Sequence, residues 1–213
     1  MVENISCVLP ETQELGGLFL GNVFGAQNAE ILKEYGISAV LTTSIETGRP
    51  AIHSDIAYSP TDIPFHMRIE AHDKEDYPLS EHINDCIHFI EQTRKFTNVY
   101  VHCYAGVSRS SAILTAYLMW KYKWPLSRTL RFVIAKRVVA KPNEGFMRQL
   151  QDIQVKLGIK EEVTEELNSG EQVIGCVPTG HTGVHSQQRV THYDPRQVVH
   201  SQANPFEQRM SVQ

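Results

Sequence analysis

The run Tyr100-Val101-His102-Cys103-Tyr104-Ala105-Gly106-Val107-Ser108-Arg109-Ser110-Ser111-Ala112 decides how the rest of the chain is read. It opens on Val99 to Val101, a short apolar stretch of strand composition. It continues as Ala112-Ile113-Leu114-Thr115-Ala116-Tyr117-Leu118-Met119-Trp120, of helix composition. Between strand and helix stand a cysteine, five spacer residues and an arginine. The first amides of a helix have no intrahelical partner, and the helix dipole is positive at that end, so a loop placed there is an anion site. Gly106 allows the backbone to curl until successive amides converge. Cys103 would lie at the floor of that amide cup, where a thiolate is stabilised by the same donors. Arg109 supplies a planar fork that matches two phosphate oxygens. A nucleophilic sulfur beneath a phosphate cradle is the chemistry of phosphoryl transfer through phosphocysteine. A cysteine alone would read as a small buried hydrophobe. The surrounding residues at these offsets point to the sharper reading.

His102-Cys103, five residues, then Arg109-Ser110 resembles the signature of the cysteine-dependent protein tyrosine phosphatase superfamily. The form Ala105-Gly106-Val107-Ser108-Arg109-Ser110-Ser111-Ala112 is similar to its dual-specificity branch, and to the small atypical members of it. The resemblance extends upstream through Leu18-Phe19-Leu20-Gly21-Asn22, Ala26, Asn28, Leu32, Gly36-Ile37 and Val40-Leu41. Downstream it covers Pro142-Asn143-Glu144-Gly145-Phe146-Met147-Arg148-Gln149-Leu150. The family often carries Arg-Pro, and a Ser just ahead of Pro-Asn, where this chain has Val138-Val139 and Lys141. The resemblance implies an α/β domain of three layers, a central mainly parallel sheet flanked by helices. It implies Cys103 as nucleophile, Arg109 as phosphate ligand, and a loop of Tyr104, Ala105, Gly106, Val107, Ser108 and Arg109 around the phosphate. It also implies His102 as a hydrogen-bonded support of that loop, and Ser110 as the hydroxyl that eases thiolate departure.

The leaving oxygen needs a proton, so a general acid must come from elsewhere. The acidic loop Glu70-Ala71-His72-Asp73-Lys74-Glu75-Asp76-Tyr77-Pro78 is the candidate donor. By resemblance Asp73 matches the family's acid, an Asp six residues ahead of the Leu that starts the next helix, here Leu79. Glu75 and Asp76 are its local rivals. The amides and Arg109 already neutralise a phosphate, so neither metal nor cofactor is expected. His181, His185, His192 and His200 are too weakly grouped to form a metal site.

The 213 residues divide into three stretches. Residues 1–15 show little apolar pattern and are expected as a loose lead-in, 16–157 as the catalytic domain, and 158–213 as a polar C-terminal tail. Within the domain, strands are expected at Leu18–Asn22, Ile37–Thr43 and Phe65–Ile69. Helices are expected over Ala26–Tyr35, from Pro78 to about Phe96, over 126–138 and over Glu144–Leu157. Leu79, Ile83, Cys86, Ile87 and Ile90 share one helix face, which makes Cys86 a packing residue; a disulfide with Cys103 under oxidation is the alternative. In the 126–138 helix Leu130, Val133 and Ile134 are expected inward, and Arg128, Arg131, Lys136 and Arg137 outward. Beyond Ser169 the chain is too polar to offset the entropy of ordering it. Asn204-Pro205-Phe206 in this tail is similar to the tripeptide read by endocytic adaptor domains, a weak partner signal.

Hydrophobic residues make up 41% of the chain, enough for a core, and the net charge of −4 gives no nucleic-acid footprint. No run approaches the length of a membrane span, and the first residues lack a basic stretch ahead of an apolar one. The four cysteines form no C-x-x-C pair. A reducing setting, cytoplasmic or nuclear, is expected for a thiolate enzyme. The expected substrate is a phosphoprotein carrying phosphotyrosine, with phosphoserine or phosphothreonine admitted. Phosphoinositide, RNA 5′-phosphate or phosphoglycan remains an alternative, disfavoured because Tyr104, Ala105, Val107 and Ser108 are uncharged. A phosphate-binding module without turnover is the third reading. It is disfavoured because Cys103, Arg109 and a candidate acid are all present.

Overall fold

The computed structural model describes residues 3–45 and 63–161. The carboxyl-terminal stretch from 162 onward, with its histidines and Asn204-Pro205-Phe206, lies outside the described residues, as do residues 46–62. Five strands, β1 (Ile5–Leu9), β2 (Leu18–Gly21), β3 (Ile37–Thr43), β4 (Phe65–Ile69) and β5 (Asn98–His102), form one sheet in the order β1-β2-β5-β3-β4. The β2–β5, β5–β3 and β3–β4 pairs are parallel, and β1–β2 is antiparallel. Among the described residues six helices accompany them: α1 (Val23–Ala26), α2 (Ala29–Glu34), α3 (Ser80–Thr93), α4 (Arg109–Tyr122), α5 (Leu126–Lys136) and α6 (Glu144–Lys156).

The central strands are apolar on both faces because both faces are covered. Leu18, Leu20, Ala39, Leu41, Val99 and Val101 join the larger core with α3, α4, α5 and α6. The alternate residues Phe19, Val40 and Tyr100 pack with Ile5, Ala26, Leu32 and Ile37 in a smaller core that α1 and α2 close. This is the three-layer arrangement expected from the sequence. Helix α4 runs through the larger core, with every residue from Arg109 to Trp120 buried. It stops at Lys123, whose φ of 57° places it in the left-handed region.

Three expectations need correction. The stretch 1–15 is not only a loose lead-in, because Ile5–Leu9 is an edge strand registered as Ile5↔Gly21, Ser6↔Leu20 and Cys7↔Phe19. The helix expected over Ala26–Tyr35 is two short helices. The Asn22 side chain accepts from Gly25 N at 3.0 Å and caps α1, and Asn28, in extended backbone, accepts from Ile31 N at 3.0 Å and starts α2. In α5, Val133 is buried as expected, but Ile134 is 38% exposed, and Arg137, expected outward, is only 2% exposed. The inward stripe is Leu126, Thr129 and Val133, and one further step of four along it falls on Arg137.

Candidate active site

Strand β5 ends at His102, and the chain then turns through residues 103–108 into α4 at the carboxyl edge of the parallel strands, where open α/β sheets place their ligand crevice. The shape of this turn follows from where its carbonyls go. Cys103 O accepts from His102 Nδ1 at 3.2 Å, and Tyr104 O from Val23 N at 3.0 Å. Ala105 O accepts from Arg137 Nη2 at 3.2 Å, and Gly106 O from Arg137 Nε at 2.7 Å. Val107 O accepts from Lys141 N at 2.7 Å, and Ser108 O from Ala112 N at 2.9 Å. Every carbonyl from 103 to 108 thus has a partner of its own. In a trans peptide the N–H of the next residue points opposite to the carbonyl. The amides of residues 104–109 are therefore directed away from those partners, toward the hollow of the turn. Gly106, at φ 65°, makes the curl possible, and its amide donates to Cys103 Sγ at 3.2 Å. Ser110 Oγ donates to the same sulfur at 3.2 Å.

Arg109 is buried at the start of α4, and its Nη1 donates to Ala71 O at 3.1 Å. That contact ties it to the acidic loop. Asp73 of that loop comes within 3.9 Å of Arg109 Nε through Oδ2. Its Oδ1 accepts from Ser108 Oγ at 2.7 Å and from Asn143 Nδ2 at 2.9 Å. Of the three acidic rivals, the structure brings Asp73 to the turn. Glu75 pairs with Arg148 at 3.1 Å on the surface, and Asp76 is exposed. Asn143 also caps α6 through Phe146 N, and its own amide donates to Ser108 Oγ at 3.1 Å.

Beneath the turn a polar chain runs across the sheet. His102 is buried, its ring stacked on Tyr100 at 5.5 Å between centroids. Nδ1 must carry a proton to donate to Cys103 O, so in the neutral ring Nε2 accepts from Thr42 Oγ1 at 2.9 Å. Thr42 in turn accepts from His66 Nε2 at 3.0 Å. Burial first, and Arg68 second, pull the His66 pKa down to about 4. Thr43 Oγ1 donates to His102 O at 2.9 Å, which fixes the other end of the same residue. Cys86 is completely buried in the larger core. Burial, and then Asp85, raise its thiol pKa, as packing and not chemistry requires.

Sequence reasoning gave no site role to Arg137, Thr42 or His66, and it placed Asn143 only in the closing segment of the family resemblance. The signal for Arg137 was its step of four beyond Val133. Among the described residues, no three His, Cys, Asp or Glu side chains gather as a metal site would need. Likewise, no helix there is long and apolar enough to cross a membrane.

A sulfur held by amide and hydroxyl donors in a turn that ends on a buried arginine, with a carboxyl beside that arginine, defines a cysteine-based phosphatase. The family described as dual specificity phosphatase, catalytic domain, matches residues 18–156, and the chain belongs to it. It is 38% identical over 147 residues to Dual specificity protein phosphatase 1 of Arabidopsis thaliana, covering 68% of this chain and 70% of that protein. It is 35% identical over 136 residues to Protein phosphatase Slingshot homolog 1 of Homo sapiens, covering 63% of this chain but only 12% of that protein. Among solved structures, human DUSP28 superposes with a TM-score of 0.61 at 26% identity, covering 74% of this chain and 97% of that one. The matched segment carries a cysteine-based protein phosphatase domain.

Proposed function

We propose that this chain hydrolyses phosphotyrosine, and with it phosphoserine and phosphothreonine, on protein substrates through a phosphocysteine. The reading is carried by the turn at 103–108, whose six outward carbonyls leave six amides and Arg109 for one phosphate around the Cys103 sulfur. In the first step a bond forms between Cys103 Sγ and phosphorus while the bond to the substrate oxygen breaks. Asp73 gives that oxygen its proton. Oδ1 already accepts from Ser108 and Asn143, which leaves Oδ2, the oxygen 3.9 Å from Arg109 Nε, as the one that would deliver the proton. In the second step Asp73, now a carboxylate, takes a proton from water as water attacks phosphorus. The sulfur leaves as a thiolate that receives the Ser110 hydroxyl hydrogen bond. Arg109 holds the equatorial oxygens, whose spread charge is greatest in the transition state.

The side chains of Tyr104, Ala105, Val107 and Ser108 carry no positive charge, which supports a singly phosphorylated side chain over a polyanionic lipid, RNA or glycan. A thiolate nucleophile works in a reducing compartment, so we place the enzyme in the cytosol or nucleus. The test is hydrolysis of an aryl phosphate and of phosphopeptides after EDTA treatment, by the wild type and by Cys103→Ser. Vanadate-sensitive turnover in the wild type and none in Cys103→Ser is the expected result. Turnover that survives Cys103→Ser, or that needs a divalent metal, would overturn it. Phosphopeptide binding without turnover would favour the module without catalysis.

A further inference from the structure

We propose that Arg137 is a positioning residue for the phosphate reaction, and that β1, which lies ahead of the family's matched segment, acts through it as a brace on the amide cup. The inference rests on the phosphatase reading above. Two of the six outward carbonyls, those of Ala105 and Gly106, are held by the one guanidinium, at 3.2 and 2.7 Å. They flank the left-handed Gly106, the point where the backbone is freest to rotate. Their peptide planes end in the amides of Gly106 and Val107, and the first of these reaches Cys103 Sγ. Holding those carbonyls out therefore holds those amides in. Without the fork, both carbonyls would lose this donor, that of Gly106 in a buried setting, and rotating the planes inward would turn oxygen toward the phosphate.

The far side of the guanidinium is anchored on the N-terminal segment. Arg137 Nη1 donates to Glu3 O at 2.8 Å and to Ser6 Oγ at 3.2 Å. That segment is itself fixed to the strand ends behind the loop. Asn4 O accepts from Asn22 N and from Tyr100 Oη, each at 3.1 Å, and Asn22 Nδ2 donates to Asn4 Oδ1 at 3.1 Å. The stack has no slack. A Cβ on Gly21 would lie 2.1 Å from Asn4 O. One on Gly106 would lie 2.3 Å from Gly21 O and 2.7 Å from Arg137 Nη2. A displacement of β1 therefore reaches the cup through backbone so closely apposed that it leaves no room for a methyl group. Lysine could not replace this arginine, because a single ammonium cannot span acceptors on two sides of a planar fork.

The experiment uses the full chain with Arg137→Lys and Ser6→Ala, each read by aryl phosphate kinetics, vanadate binding by calorimetry, Cys103 alkylation by iodoacetate at fixed pH, and melting temperature. In Arg137→Lys, assayed well below its melting temperature, vanadate affinity and kcat/KM are expected to fall about tenfold or more, and alkylation to slow. Ser6→Ala should move the same quantities in the same direction by a smaller factor. A variant that melts earlier but keeps wild-type vanadate affinity, kcat/KM and alkylation rate would reduce Arg137 to scaffold and overturn the proposal. If Arg137→Lys does not fold, Ser6→Ala decides: unchanged vanadate affinity there overturns the brace. A wild type that binds vanadate but shows no Cys103-dependent turnover would refute the phosphatase reading instead, and the binding comparison would still judge the brace.

Discussion

Asp73 shares one oxygen between two donors, and that arrangement sets what its replacement should cost. Asp73→Asn keeps the size and loses the proton, so kcat should fall about 10²–10⁴-fold for a poor leaving group and far less for an activated aryl phosphate. A plot of log kcat against leaving-group pKa for the two proteins checks it; parallel lines would give the acid's role to another residue. Asn143→Ala and Ser108→Ala should shift the same plot by about tenfold or less, because each orients the carboxyl without supplying its proton; Asn143→Ala also removes the cap of α6. His66 gives a second test at this scale. Its folded pKa of about 4 lies below the ordinary histidine value of 6.5. The unfolded chain therefore binds the proton first as pH falls, and stability present above about 6.5 is lost on the way down through about 4. The loss should be about 1–2 kcal/mol after allowance for the ring's partial exposure. Denaturant titrations at pH 7 and pH 4 should show it in the wild type and a shallower fall in His66→Gln.

At the scale of elements, the acidic loop packs backbone to backbone on α6 at Gly145, beside the Glu75–Arg148 pair. A Cβ on Gly145 would lie 1.9 Å from Glu75 O, backbone that can move only by carrying the loop with it. Gly145→Ala should therefore act like a weak Asp73 variant, lowering kcat about tenfold for poor leaving groups while Cys103 alkylation stays at the wild-type rate. Slowed alkylation would show that the damage had spread to the cup. The elements also show where sequence patterns speak and where they are silent. β3, β5, α4 and α6 are legible because each carries an apolar run, or an apolar stripe with a cap, long enough to stand on its own. β1 is not, since Ile-Ser-Cys-Val-Leu is a five-residue edge strand ordered by its pairing with β2, a tertiary contact with no local sign. The break between α1 and α2 was hidden because an asparagine in a helical pattern reads equally as interior or cap, and here Asn28 caps. Arg137 was missed by assuming that charge faces water. Its spacing from Val133 already set it inward, where backbone carbonyls compensate its burial. Burial lowers its pKa, an effect opposed by Tyr100, Cys103 and Glu3. At the site, Cys103 and Arg109 were picked out by chemistry at fixed offsets and Ser110 by the family resemblance, and the structure places all three at the one turn. Thr42 and His66 come from strands whose neighbourhood only the sheet order creates.

Taken whole, the molecule is built around α4, so its stability and its site share one helix. Leu114 is fully buried there, and Leu114→Ala should cost about 2–5 kcal/mol, with circular dichroism and activity lost in a single transition. Two separate transitions would mean that the smaller core, under α1 and α2, melts alone. The sheet order has a further consequence for how the chain comes into being. The central strand β5 pairs Val99 with Leu18 on one side and Val101 with Leu41 on the other, partners far back along the chain. The turn after it is finished only when Arg137, Lys141 and Asn143 arrive from beyond α5. Contacts so distant form slowly and late. During synthesis the hollow around the Cys103 sulfur would thus stay incomplete until almost the entire domain has emerged. A nascent or truncated chain that ends before Arg137 lacks the contacts that shape it.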